Sequence, residues 1–348
     1  AVGEVGAAAA GPTGEGSRLD MLATAAAERP DAPEVLLALA AAAIDAGDES
    51  AALTALTSVA DLGFSPLLER DPVLMRLKGA ERFKEVWRRL AENRVPRGRG
   101  EIAWTLRDHA GLPAGLAWSD RAGGMLIADV GARAVWRRSA AGQLTTLLGG
   151  DGILGCFGLA VDESGGVLWV TTAAAPVMRG YTREAEGRAA LLKVELPGGR
   201  ELGSYEFTIS PGAQPEALLS APAPGPGGRV AWAEPAGPRI WIFEDGRVTP
   251  LNVRRGIVPP APQTVAWETG DALLVADRVL GLVRLDLRSG EGMRPALPPR
   301  SSLVDLTSIV AVAEGEFVAT QAGMWPSRVV RIRLAPGDDS IAAVEVLE

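Results

Sequence analysis

The sequence predicts a mainly β chain, a β-propeller preceded by a short α-helical domain. A four-strand unit recurs five times beyond residue 101, with second strands starting near Gly124, Gly166, Arg229, Asp271 and Gly315. Their spacing is about 42 residues with one longer interval, the period of propeller blades. Apolar residues between 33 and 93 fall instead at helical spacing. Between the halves, RVPRGRG (94–100) has the composition of a linker. The expected organisation is a disordered tail over 1–17, a helical domain over 18–94, a linker over 95–100 and a propeller over 101–348.

The opening AVGEVGAAAAGPTGEGS is too small and glycine-rich to bury surface. It reads as a tail, or as a spacer left after leader removal. The second reading places the protein in the periplasm or outside the cell, and the first leaves it cytoplasmic. PEVLLALAAAAIDAG (33–47) carries Leu36, Leu37, Leu39, Ala40 and Ile44 on a helical period. Gly47 suits its C-terminal cap, and Asp48 the N-cap of SAALTALTSVADLG (50–63). Together they predict an αα-hairpin. ERFKEVWRRLAEN (81–93) gathers Phe83, Val86, Trp87 and Leu90 on one face and leaves Arg88, Arg89 and Glu92 to solvent.

EIAWTLR (101–107) is expected as a strand that closes the ring against a C-terminal strand, hiding sheet edges. The five units then run GLAWSD to QLTTLLG (115–149), FGLAVDE to RELGSYEF (157–207), EALLSA to RVTPLNV (216–253), TVAWE to GMRPAL (264–297), and SIVAVAE to IAAVEVLE (308–348). A sixth blade would have to be spread over 176–214. Asp129, Asp162, Asp277 and Asp286 recur at blade turns, where carboxylates satisfy backbone N–H groups. Trp118, Trp169, Trp232, Trp241 and Trp267 are expected in the packing between blades.

Composition removes several functions. With 35 basic against 43 acidic residues and a net charge of −8, the chain is a poor nucleic-acid binder. One cysteine (Cys156) excludes an intrachain disulfide, and one histidine (His109) excludes multi-histidine metal sites. No apolar run approaches the length of a membrane span. His109 sits beside Asp108, yet there is no G-x-S-x-G nucleophile elbow for a triad. GGDGILG (149–155) precedes no helix and so makes no phosphate cradle. Cys156 is expected to be a buried small hydrophobe.

Two resemblances add to this. Residues 38–64 and 67–90, with Asp71-Pro72 and the basic-aromatic last helix, resemble a single tetratricopeptide-like unit and its closing segment. That resemblance implies packing or a protein partner. FGLAVDESGGVLWVTTAAAPVM (157–178), APQTVAWETGDALLVADRVLGLVRLDL (261–287) and ATQAGMWPSRVVRIRL (319–334) resemble the gluconolactonase-like propeller family, which includes senescence marker protein. It implies six blades around a calcium or zinc ion held by a glutamate, an asparagine and an aspartate, which polarises a lactone or ester carbonyl.

The matching positions here carry other residues. Ala114 stands for the glutamate, Gln263 or Thr264 for the asparagine, and Thr307 for the aspartate, with Asp305 two places away. Hard cations prefer charged oxygen ligands, so no metal ligand and no cofactor is assigned. The expectation is a binding or scaffolding protein, with a protein partner on the helical domain and a small-molecule ligand in the channel. The alternative is a metal-dependent lactonase or esterase using calcium or zinc in a rearranged site. For that alternative Asp305 and Glu216 are the catalytic candidates and Gln263 the ligand-binding one.

Overall fold

The computed structural model describes residues 15–98, 100–106, 111–210, 218–323, 325–337 and 339–347. Its first helix, α1 (Glu15–Glu28), starts inside the stretch expected to be a tail, so Glu15–Ser17 are helical, and 1–14 lie outside the described residues. α2 (Pro33–Asp45) and α3 (Glu49–Asp61) form the expected hairpin. Proline at its first position suits α2, because that N–H has no helical acceptor anyway. The Asp48 carboxylate accepts from the Ala51 N–H at 2.9 Å, and Gly47 turns the chain with φ +79°.

Asp71 caps the following 3₁₀ turn by accepting from Val73 and Leu74 N–H. α4 (Glu81–Glu92) buries Phe83, Val86 and Leu90 in one core with Leu53, Leu56, Val59 and Phe64. Its polar face is not wholly left to solvent. Arg89 bonds Asp61 of α3, and just beyond the helix Arg94 bridges Glu69 and bonds Ser65 and Pro66, so the linker begins anchored.

The rest is five antiparallel sheets of four main strands. Blade 1 is β1 (Pro113–Ser119), β2 (Gly124–Asp129), β3 (Ala134–Ser139) and β4 (Leu144–Gly149). Blade 2 is β5 (Gly155–Asp162), β6 (Val167–Ala173), β7 (Arg188–Glu195) and β8 (Glu201–Thr208). Blade 3 is β9 (Ala223–Pro224), β10 (Val230–Glu234), β11 (Arg239–Glu244) and β12 (Arg247–Pro250). Blade 4 adds a short parallel strand, β13 (Arg255–Gly256), outside β14 (Pro262–Thr269), β15 (Ala272–Asp277), β16 (Gly281–Asp286) and β17 (Glu291–Met293). Blade 5 is β18 (Leu306–Ala313), β19 (Glu316–Gln321), β20 (Arg328–Leu334) and β21 (Ile341–Val346).

Three expectations need correction. The 101–106 segment forms no strand, so it closes nothing; Trp104 instead lies under Arg138, 4.8 Å from the guanidinium. Residues 188–208 supply β7 and β8 of blade 2 rather than part of a sixth blade, and five blades are found among the described residues. EALLSA is not the inner strand of blade 3: 218–221 are irregular, 216 and 217 lie outside the described residues, and β9 follows. Pro222, Pro224 and Pro226 hold β9 to two residues, since proline cannot donate to a ladder.

Four apolar cores join the five blades. Leu126, Val135, Leu159 and Leu168 pack blades 1 and 2, and Phe157, Trp169, Trp232 and Phe243 pack blades 2 and 3. Ala231, Ile240, Leu273 and Val275 join blades 3 and 4, and Leu274, Leu282, Phe317 and Ile332 join blades 4 and 5. No such cluster joins blade 5 to blade 1 among the described residues. There Leu116 and Trp118 of β1 are 59% and 56% exposed, and Val310 and Val312 of β18 are 57% and 55% exposed. Among the described residues the five blades therefore form an arc without an apolar seam between its two ends.

The helical domain is tied to blades 4 and 5. Asp31 pairs with Arg294 at 2.5 Å, Arg29 donates to the Val279 carbonyl, and the Ser65 N–H donates to the Trp325 carbonyl at 2.8 Å.

Candidate ligand channel and its rim

The inner strands converge on a channel of about 600 Å³. Leu116 and Trp118 of β1, Leu159 and Val161 of β5, Trp267 of β14 and Val310 of β18 give it a mainly apolar wall. Its size falls in the usual range for small-molecule sites, about 300–1,000 Å³. The two tryptophans are held in place: Trp118 Nε1 donates to Asp120 Oδ1 and Trp267 Nε1 to the Ala223 carbonyl, both at 2.8 Å. Arg229 stacks on Trp267, 4.9 Å from its ring centre. Trp118, expected in the packing between blades, is half exposed and lines the channel instead. Trp169, Trp232 and Trp241 are buried as expected.

At the N-terminal ends of the inner strands a β-bulge recurs. The ladder register slips between Pro113 and Gly115, Cys156 and Gly158, Pro262 and Thr264, and Leu306 and Ser308. The skipped residues are Ala114, Phe157, Gln263 and Thr307. A bulge leaves one residue unpaired and re-aims its side chain. Three of the four are the positions at which the sequence resemblance implies metal ligands. Alanine and phenylalanine offer no donor atom, so this set does not fit a hard cation. Among the described residues no cluster of three histidine, cysteine, aspartate or glutamate side chains could hold an ion.

The other rim positions are engaged within the fold. Gln263 Nε2 donates to the Ala261 and Pro262 carbonyls at 3.1 and 3.3 Å, so its donor turns onto its own strand. Thr264 Oγ1 accepts from the Ile309 N–H at 2.8 Å, stitching β14 to β18. Thr307 and Ser308 hydroxyls meet Thr320 Oγ1 at 2.8 and 2.7 Å.

Each second strand except that of blade 2 ends in a buried polar side chain: Asp129, Glu234, Asp277 and Gln321. Asp129 accepts from Leu112 and Ala132 N–H, Glu234 from the Ser210 N–H and Trp241 Nε1, and Asp277 from Ala261, Val279 and Leu280 N–H. Asp162 and Asp286 accept from Gly165 and Ser289 N–H at their turns. The turn reading of the blade aspartates holds, and Glu234, which ends RVAWAE as Asp129 and Asp277 end their second strands, plays the same part. Cys156 is buried, which pushes its thiol up to about 12.

Asp305 lies where the helical domain meets blade 5. Its backbone is left-handed, φ +61°, and its N–H donates to the Arg278 carbonyl at 2.8 Å. A Cβ on Gly323 would sit 2.2 Å from the Asp305 carboxylate, so only glycine leaves room there. That carboxylate accepts no hydrogen bond among the described residues, and burial raises its pKa against the lowering pull of Arg278. Glu34, near the start of α2, is raised by burial too, with Asp305 and Asp31 adding to the shift. No hydrogen bond joins Asp305 to Gln263. The remaining candidates, Glu216 and His109, lie outside the described residues.

No family model matches this chain, and no curated protein matches it. Solved structures do. Selenomethionine-substituted virginiamycin B lyase from Staphylococcus aureus is 16% identical, over 70% of this chain and 72% of that one, with a TM-score of 0.46. A protein of unknown function from Bacteroides caccae is 15% identical over 71% and 86%, TM-score 0.48. A luciferin-regenerating enzyme is 13% identical over 68% and 82%, TM-score 0.47. Among the described residues no helix is long and apolar enough to cross a membrane. Among its described residues the chain shows five propeller blades, an apolar channel and a helical domain seated on blades 4 and 5.

Proposed function

We propose that this is a binding or scaffolding protein that takes an apolar, ring-bearing small molecule into its channel and offers its helical domain to a protein partner. The observation that carries the channel reading is the wall itself: two fixed tryptophans and four aliphatic side chains around about 600 Å³. Burying an apolar ligand against such a wall gains about 25 cal/mol per Å². Indole faces add stacking for a ring. The bulged positions Ala114, Gln263 and Thr307 support reading the blades as a gluconolactonase-like scaffold with other residues at the ligand positions. Titration with a hydrophobic fluorophore such as 1-anilinonaphthalene-8-sulfonate tests it. Saturable binding weakened at least tenfold by a Trp118→Ala, Trp267→Ala pair supports the reading; unsaturable binding, or binding the pair leaves intact, sinks it.

A hydrolase is favoured by one observation, the unpaired and desolvated Asp305 carboxyl. Burial that raises a carboxyl pKa brings it towards the range useful for acid–base work. A lactone and aryl-ester panel with calcium or zinc supplied decides this. Turnover abolished by Asp305→Asn would establish the hydrolase, and inactivity throughout would remove it.

A further inference from the structure

We propose that the junction between the helical domain and blade 5 is a binding site for a phosphate-bearing small molecule, gripped by Arg97, Arg300 and Arg328. The junction encloses a cavity of about 450 Å³ that shares no lining residue with the channel. Arg328 is only 7% exposed. Its Nη1 donates to the Leu62 carbonyl at 3.0 Å and its Nη2 to Gln321 Oε1 at 2.8 Å, and the guanidinium lies 3.9 Å from the centre of the Phe64 ring. Every one of these partners is neutral. No carboxylate pairs with Arg328 among the described residues, and its Nε has no acceptor.

A buried charge without a counter-ion is costly, and here a second cation stands beside it. Burial and the charge of Arg97 together lower the Arg328 pKa to about 10. Arg300 also lines the cavity. Asp61 is the one acidic residue in the described lining, and it is taken by Arg89, with Arg300 farther off at 4.0 Å. Arg94 is taken by Glu69. Three arginines therefore line one cavity whose one described carboxylate, Asp61, is shared between Arg89 and Arg300, in a protein of net charge −8.

A phosphate monoester, close to a dianion at neutral pH, matches that excess better than a monoanionic carboxylate does. Its oxygens accept the paired N–H donors that guanidinium groups present. Free phosphate and an organic phosphate share this chemistry. Trp325, half exposed on the cavity wall, offers a flat face for the organic part of the second.

The test is calorimetric titration of the full chain with inorganic phosphate, phenyl phosphate and benzoate, chloride balancing the ionic strength. Saturable binding of a phosphate probe, at least tenfold tighter than benzoate, is expected. Phenyl phosphate binding the tighter of the two assigns an organic phosphate, and equal binding assigns free phosphate. Arg328→Met risks unfolding the junction, so the deciding variant is Arg97→Ala with Arg300→Ala, whose side chains make no buried bond. Circular dichroism unchanged with affinity down at least tenfold supports the site. No saturable phosphate binding, benzoate binding as tightly, or binding indifferent to the double variant overturns it.

Discussion

At the scale of single residues, buried carboxylates that accept backbone N–H groups fix the chain at the blade turns. Asp277 is fully buried and accepts from three backbone N–H groups, which hold the chain at the entry to β14 and at the turn after β15. Asp277→Ala strands those donors and should cost about 3 kcal/mol or more, since each unsatisfied buried group costs about 1–3 kcal/mol. Urea melts of Asp277→Ala and Asp277→Asn check this, the asparagine losing less because it keeps one oxygen. Gly63 is a second such position. Its φ is +80°, and an added Cβ would lie 2.8 Å from Arg328 Nη1. Gly63→Ala should destabilise by at least ~1–2 kcal/mol from backbone strain, with the extra contact loosening Arg328. Cys156 should ignore a thiol reagent at pH 8 while the protein is folded and react once it is unfolded, because burial keeps the thiolate from forming.

At the scale of elements, the contact of α2 with blade 5 titrates. Asp305 and Glu34 both have raised pKa values in the folded protein, burial being the first cause for each. The charged groups facing them are Arg278 for Asp305, and Arg29 and Asp31 for Glu34. A carboxyl with a raised folded pKa binds its proton more tightly folded than unfolded. Its contribution is full below the unfolded value, 3.8 for Asp305 and 4.5 for Glu34, and is lost as pH climbs through the raised folded value. Asp305→Asn keeps the left-handed backbone and removes the titration. The variant should therefore gain Tm over the parent at pH 7 and show no gain at pH 3.5; an equal gain at both pH values would refute the linkage.

Elements were also where the sequence was most legible, and where it failed for identifiable reasons. GMLIAD and ALLVAD are short continuous apolar runs, buried on both faces, and β2 and β15 occupy the residues expected of them. EIAWTL (101–106) does alternate, yet those residues pair with none of the five sheets and are mostly exposed. EALLSA failed because its apolar character reflects burial of Leu218 and Leu219 rather than extension. Of the site, Ala114, Gln263 and Thr307 were identifiable as equivalent, and their bulges give that equivalence a backbone cause. The Arg328 cavity was invisible, since Leu62 and Arg328 are 266 residues apart.

At the scale of the whole molecule, five blades share four cores, so the two end sheets each bury one face against a neighbour. Hydrogen exchange should follow: amides of β1 and β18 exchange faster than those of β5 and β14, which lie within the arc. Uniform protection across all four strands would mean the gap is closed in solution. Acrylamide quenching should likewise reach Trp118 and Trp325, which are half exposed, ahead of Trp232, and Trp118→Phe should remove part of the accessible emission.

An arc, unlike a ring, has two ends, and these ends are not alike. Blade 5 carries the helical domain through Ser65, Leu62 and Phe64, whereas blade 1, among the described residues, has Trp104 stacked against Arg138 and no helix. In a linear array each unit draws stability from its neighbours, and a terminal cap protects the end it covers. The helical domain is such a cap, present on one side alone. Unfolding is thereby expected to have a direction, from blade 1 towards blade 5, and pulsed hydrogen exchange should show β2 losing protection before β19.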